Sequence, residues 1–87
     1  MFMGQEDTRK EISKKELLKK ANELIKDDYE YMDGMKATDV VQNGEVLVLK
    51  GEYFLDEHGV PTPKTNAVFN MFKKVTTVLS KEYKLKD

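Results

Sequence analysis

The sequence predicts an α+β domain of order α-β-β-(β)-α, with two helices packed on a short antiparallel β-hairpin sheet. Three observations predict it. Ser13-Lys14-Lys15-Glu16 has the spacing of a helix-opening capping box. Asn43-Gly44 separates two runs rich in β-forming residues, the pattern of a tight hairpin. Thr62-Pro63 precedes apolar residues that recur at helical spacing as far as Tyr83.

Residues 1–12 are polar and mixed in charge, and are expected to form a flexible N-terminal arm ahead of a single domain over residues 13–87. The first helix should run from Ser13 to about Tyr31. Its apolar stripe is Leu17, Leu18, Ala21, Leu24, Ile25 and Met32. Asp28 falls inside that stripe, so either the helix ends there or Asp28 has a specific hydrogen-bond donor. Asp33-Gly34 stops the helix.

Met35 to Val41 and Glu45 to Leu49 read as strands, with Asn43-Gly44 as a two-residue loop in which both residues take φ > 0. Val46-Leu47-Val48-Leu49 is apolar on both faces, which predicts a strand covered on both sides. Gly51 is a candidate bulge that would let the strand continue through Tyr53-Phe54-Leu55. Val60-Pro61 is a candidate for a further short edge strand.

In the last helix, Ala67, Val68, Met71, Phe72, Val75, Val78, Leu79 and Tyr83 fall on one broad arc. So wide an arc predicts burial against more than one neighbour. Thr62 is the expected cap and Thr65 the alternative.

At 87 residues, the chain has room for one small core, and is marginal unless well packed or oligomeric. The absence of cysteine removes disulfides, thiolate catalysis and cysteine-based zinc sites together. A net charge of −1 gives no global attraction to nucleic acid or to an anionic membrane. No apolar run approaches the roughly 20 residues needed to span a bilayer, and Met1-Phe2-Met3 is too short for a signal-peptide core. The expected compartment is the cytoplasm.

The stretches Gly51-Glu52-Tyr53-Phe54-Leu55-Asp56-Glu57, Pro61-Thr62 and Ala67-Val68-Phe69-Asn70-Met71-Phe72-Lys73 resemble the enterobacterial YciN family. Leu17-Leu18-Lys19-Lys20-Ala21-Asn22 and Leu79-Ser80 with Tyr83 extend the likeness to about residues 12–87. What the resemblance implies is a small cytosolic domain of unknown function, with no catalytic or binding residues to carry over.

No catalytic, cofactor or metal motif stands out. Asp56-Glu57-His58 gathers two carboxylates and the sole imidazole in one turn, but adjacent residues rarely converge on one ion, so a solvated turn is the plainer reading. Lys73, Lys74, Lys81 and Lys84 share the polar face of the last helix with no acid among them. They form a candidate anion-binding face, and the element order loosely resembles the double-stranded-RNA-binding domain. Lysines late in a helix also suit its dipole, so a solvated face is the plainer reading there too.

Val46 and Val48 share the strand face that two helices on the other side would leave open. The arm has only Phe2, Met3 and Ile12 to cover it, which leaves a loop or a second copy of the chain, and a two-fold dimer is the commonest closed solution. Two function classes follow. One is a non-catalytic protein-interaction module, homodimeric through Val46 and Val48. The alternative is a nucleic-acid or phosphate binder using the lysine face.

Overall fold

The structure, a computed structural model, describes residues 9–86. The elements are β1 (Lys10–Ile12), α1 (Lys14–Asp27), β2 (Ala37–Asn43), β3 (Val46–Gly51), α2 (Pro63–Glu82) and β4 (Tyr83–Leu85). β2 and β3 form an antiparallel hairpin, and β1 pairs with β4 in parallel. The α+β class with two helices on a hairpin sheet is therefore the observed one. No described helix is long and apolar enough to cross a membrane.

The first helix opens as its sequence predicts. The Ser13 hydroxyl accepts from the Glu16 backbone N–H at 3.2 Å and satisfies one orphan donor. The Glu16 carboxylate does not reach back to the Ser13 N–H; it accepts from the Ser13 hydroxyl instead. The helix ends at Asp27, about four residues before the expected Tyr31. Asp28 leaves helical geometry with ψ 138, and its carboxylate accepts from the Glu30 N–H at 2.8 Å. That local bond competes with helix continuation. Leu17, Ala21 and Ile25 are buried, while Leu24 and Met32, expected on the stripe, are exposed.

The hairpin loop is Gly44-Glu45, because Asn43 pairs with Val46. Gly44 has φ 63, whereas Asn43 is not in the left-handed region. This corrects the expectation of two residues at φ > 0: the frame moves by one and the loop has the φ signs of a II′ turn, with glycine first. β3 ends at Gly51, and the bulge lies in β2 at Thr38, between Ala37 and Asp39. A Cβ on Gly51 would stand 2.1 Å from the Lys36 carbonyl oxygen and 3.0 Å from the Phe72 ring, so the position admits no side chain.

Neither Tyr53-Phe54-Leu55 nor Val60-Pro61 is a strand. The Phe54 carbonyl is held by the Thr62 and Thr65 hydroxyls, at 2.9 and 3.2 Å, which turns the chain out of the sheet. Phe54 sits at φ 55, a strained value for a bulky residue, fixed by those bonds and by a third from its N–H to Glu52.

The two additional strands come from the chain ends. Lys10–Ile12, expected within the flexible arm, form β1, with Lys10, Glu11 and Ile12 opposite Tyr83, Lys84 and Leu85. Ile12 is 5% exposed and belongs to the core, which explains why this segment is held. Residues 1–8, including Phe2 and Met3, lie outside the described residues. The Gln42 side chain accepts from the Leu85 N–H at 2.9 Å and links the two small sheets.

α2 packs on β3, and α1 lies along β2. The core between them comprises Leu17, Ala21, Ile25, Val40, Leu47, Leu49, Val68, Met71, Phe72, Val75 and Leu79. Thr65 and Thr76 are also buried on α2, while Val78 and Phe69 are exposed.

Candidate functional site

Alternation along the hairpin separates two faces. Val40, Leu47 and Leu49 point inward and are buried against the helices. Val41, Val46 and Val48 point outward with Asp39 and Lys50, since Val41 pairs with Val48 and Asp39 with Lys50. Val46 is 54% exposed, and Val41 and Val48 are half-buried. Among the described residues, no element covers this outer face, so the strand expected to be covered on both sides is covered on one.

The hairpin edges, by contrast, are occupied. Leu47 and Leu49 are non-hydrogen-bonded partners within the ladder, so their backbone groups point away from β2. The Leu47 N–H donates to the Ser80 hydroxyl at 3.0 Å, and the Leu49 carbonyl accepts from the Tyr53 hydroxyl at 3.4 Å. On β2, the Asn22 side chain accepts from the Ala37 N–H at 2.8 Å and donates to its carbonyl at 3.0 Å. The Val40 N–H donates to the Asp39 carboxylate at 2.8 Å. These caps protect edges that would otherwise template strand addition. Sequence reasoning missed them, because a lone Ser or Asn on a helix has no periodic signature. What remains available for contact is a face.

The lysine face does not assemble as expected. Lys73, Lys74 and Lys81 lie on α2, but Lys84 stands in β4 opposite Glu11. Acids are present as well, brought in by the segment after α1. The Lys74 ammonium donates to Asp28 at 2.9 Å and to Glu30 at 2.8 Å, and lies 5.4 Å from the Tyr29 ring. Those bonds raise the Lys74 ammonium above its ordinary value. The bond from Lys74, and then the Glu30 N–H, hold the Asp28 carboxyl below the usual carboxylate range. Asp28 thus satisfies both halves of the sequence expectation: it ends α1, and it has a specific donor. Lys73 and Lys81 remain without an ion pair among the described residues.

In the Asp56-Glu57-His58 turn, an Asp56 oxygen accepts from the His58 and Val60 N–H groups at 2.8 and 2.9 Å. His58 and Glu57 approach only to 3.9 Å, and both side chains are exposed. Asp56 organises the turn, and among the described residues no three His, Asp or Glu side chains gather as a metal site.

Two hollows lie beside α1. One, of about 210 Å³, is lined by Asn22, Lys26, Tyr31, Gly34, Met35 and Lys36. The other, of about 290 Å³, runs between α1 and α2, with Leu24 and Val78 among Glu23, Asp27 and Glu82. Lys20 stands in that second groove, 5.6 Å from the Tyr83 ring.

A family model described as a protein of unknown function (DUF2498) matches residues 8–86. The chain is similar to the protein YciN of Escherichia coli K12 and to that of E. coli O157:H7. Each is 50% identical over 76 residues, covering 87% of this chain and 92% of the relative.

Proposed function

The chain belongs to the YciN family of proteins of unknown function (DUF2498), and on that premise we propose that it is a small cytoplasmic protein-interaction module without catalytic machinery. It pairs with a second copy of itself through the outer face of the hairpin. The observation that carries this reading is the outward row Val41, Val46 and Val48, with Val46 exposed and the other two half-buried, on a hairpin whose edges are already capped.

Charge favours a copy of the same chain as the occupant. Asp39, which also holds Lys14 at 3.0 Å, and Lys50 stand opposite each other on this face, so the patch carries both signs and a two-fold axis can set Lys50 against Asp39 of the other copy. Magnitudes set the strength. Completing the burial of three valines on each of the two copies contributes roughly 6 kcal/mol, less than for valines starting fully exposed. Association costs about 4 kcal/mol or more in lost freedom. The valines roughly offset the cost of association, so the polar rim sets the net strength of the pairing.

Sedimentation velocity at tens of micromolar tests this. The expected result is a concentration-dependent dimer that Val48→Lys converts to a soluble monomer. A wild-type chain that sediments as a monomer at those concentrations ends the reading.

The phosphate-binding alternative draws its support from Lys73 and Lys81. Two phosphate contacts give a log–log salt slope of only about −2 on duplex DNA. Salt-dependent retention with a slope near that value on a nucleic-acid column would favour that alternative over the dimer.

A further inference from the structure

The hollow beside α1 has a composition that the dimer reading does not use. Its floor is Met35, buried in the core, and its walls come from α1 and from residues 31–36. The walls are fixed relative to each other. Asn22 binds both backbone groups of Ala37, the Tyr31 N–H donates to the Asp28 carbonyl at 2.9 Å, and the Met35 N–H donates to the Met32 carbonyl at 3.0 Å. The site is therefore preformed.

Three polar groups at this hollow have no partner. The Lys26 and Lys36 ammoniums make no ion pair or hydrogen bond among the described residues, and neither does the Tyr31 hydroxyl. Lys64 and Lys74 are occupied, with Lys64 donating to the Asp33 carbonyl over Phe54 and Lys74 holding two carboxylates beside Tyr29, while Lys20 borders the Tyr83 ring without an ion pair among the described residues. The acids in nearby sequence, Glu23, Asp27, Asp28, Glu30 and Asp33, do not line the hollow, and Asp28 and Glu30 are already paired with Lys74. Two unpaired cations and a phenol bordering an apolar floor suit an anion that carries an apolar body.

Volume limits that body. A cavity of about 150 Å³ takes one benzene. At about 210 Å³, this hollow has room for one ring and a carboxylate. We propose that the hollow lined by Asn22, Lys26, Tyr31, Gly34, Met35 and Lys36 binds a small monocarboxylate with an apolar body no larger than a single ring. The ring rests on Met35 and the Tyr31 face, and the carboxylate takes the Lys26 and Lys36 ammoniums. The proposal is independent of the dimer, which uses the hairpin's outer face.

The test is amide-resolved NMR titration of the full chain with sodium benzoate, with benzamide and inorganic phosphate as controls. Benzoate is expected to shift amides within residues 22–36 saturably at millimolar concentration. Lys26→Gln and Lys36→Gln, both surface changes, should each weaken it about fivefold, as for a partly exposed ion pair. Tyr31→Phe should weaken it less. Benzamide should bind more weakly than benzoate by about the factor lost in the double lysine variant, and phosphate should cause no saturable shift there. The proposal is overturned if benzoate leaves residues 22–36 unshifted at tens of millimolar. It is equally overturned if benzamide or phosphate matches benzoate, because then either the charge or the apolar body plays no part.

Discussion

Asp28 is one carboxylate with two tasks: it closes α1 through the Glu30 N–H and ties that end to α2 through Lys74. Asp39 has a parallel arrangement, accepting from Lys14 at 3.0 Å and from the Val40 N–H. Both carboxyls sit below their ordinary value in the folded chain, chiefly because of those lysine bonds. The unfolded carboxyls titrate near 4, so the stabilisation is fully present above that pH and is lost as pH falls through the lower folded values. Urea midpoints measured from pH 6 down to 2 should fall along this limb. Asp28→Asn should flatten the fall while leaving the pH 6 to 8 region level. An unchanged acid limb in that variant would show that the Asp28–Lys74 bond contributes nothing.

Gly44 is a second position where one residue decides. With φ 63 and open space around it, Gly44→Val meets no neighbour but must hold a β-branched residue in the left-handed region. It is expected to destabilise by more than about 1 kcal/mol. An unshifted denaturation midpoint would exclude the turn as drawn.

The elements differ in how much of them could be read from sequence, and the difference has a physical cause. Both helix starts were readable because Ser13 and Thr62 bond to backbone a few residues away, a local rule with a fixed spacing. The hairpin was readable for the same reason, though its frame was one residue off. Asn43 and Gly44 both favour turns, and the pairing of Asn43 with Val46 chose between them. The end of α1 was half readable, since Asp28 stood out in the apolar stripe and closes the helix through the nearby Glu30 N–H, whereas its donor Lys74 and the break at Phe54, held by Thr62 and Thr65, depend on side chains distant in sequence. The candidate face followed the same divide. Val46 and Val48 were placed by strand alternation, while the lysine row divided on contacts with the segment after α1 and with β1 that no helical wheel contains.

The two helix caps should therefore differ in energy. Ser13→Ala removes one local acceptor and should cost about 1 kcal/mol, within the range of 0.5 to 2. Thr65 is fully buried; its hydroxyl accepts from the Thr62 N–H at 2.9 Å and donates to Phe54. Thr65→Val keeps the shape but leaves the Thr62 N–H without this partner and the strained Phe54 carbonyl with one donor fewer. It should cost more than Ser13→Ala, about 2 kcal/mol. Equal losses in paired urea denaturations would mean that the Phe54 latch adds nothing to the cap.

At the scale of the whole molecule, the chain ends close the fold on each other. β1 and β4 pair in parallel although they are the first and last described elements, and the Lys86 N–H donates to the Ile12 carbonyl at 3.0 Å. Arg9 extends the tie, with its guanidinium donating to the Glu45 carbonyl in the hairpin loop at 2.9 Å. Parallel pairs usually lie covered within larger sheets, and a pair of three-residue strands has few bonds of its own. What holds it is Ile12, 5% exposed within the core, with Leu85 and Tyr83 packed against the same cluster. If residues 1–12 acted as a dispensable arm, their removal would leave stability unchanged. If β1 is part of the core's wall, deleting residues 1–12 removes a buried isoleucine and uncovers β4. The expected loss is then roughly 3 kcal/mol, comparable to truncating a core Ile to Ala and a large share of what a domain this small possesses. Ile12→Ala in the full-length chain should account for most of that loss, since it removes the buried side chain while leaving the β1 backbone free to pair. A deletion that leaves the urea midpoint where it was would return Lys10–Ile12 to the arm. A deletion that costs much more than Ile12→Ala would instead place the stabilisation in the backbone pairing and in Arg9.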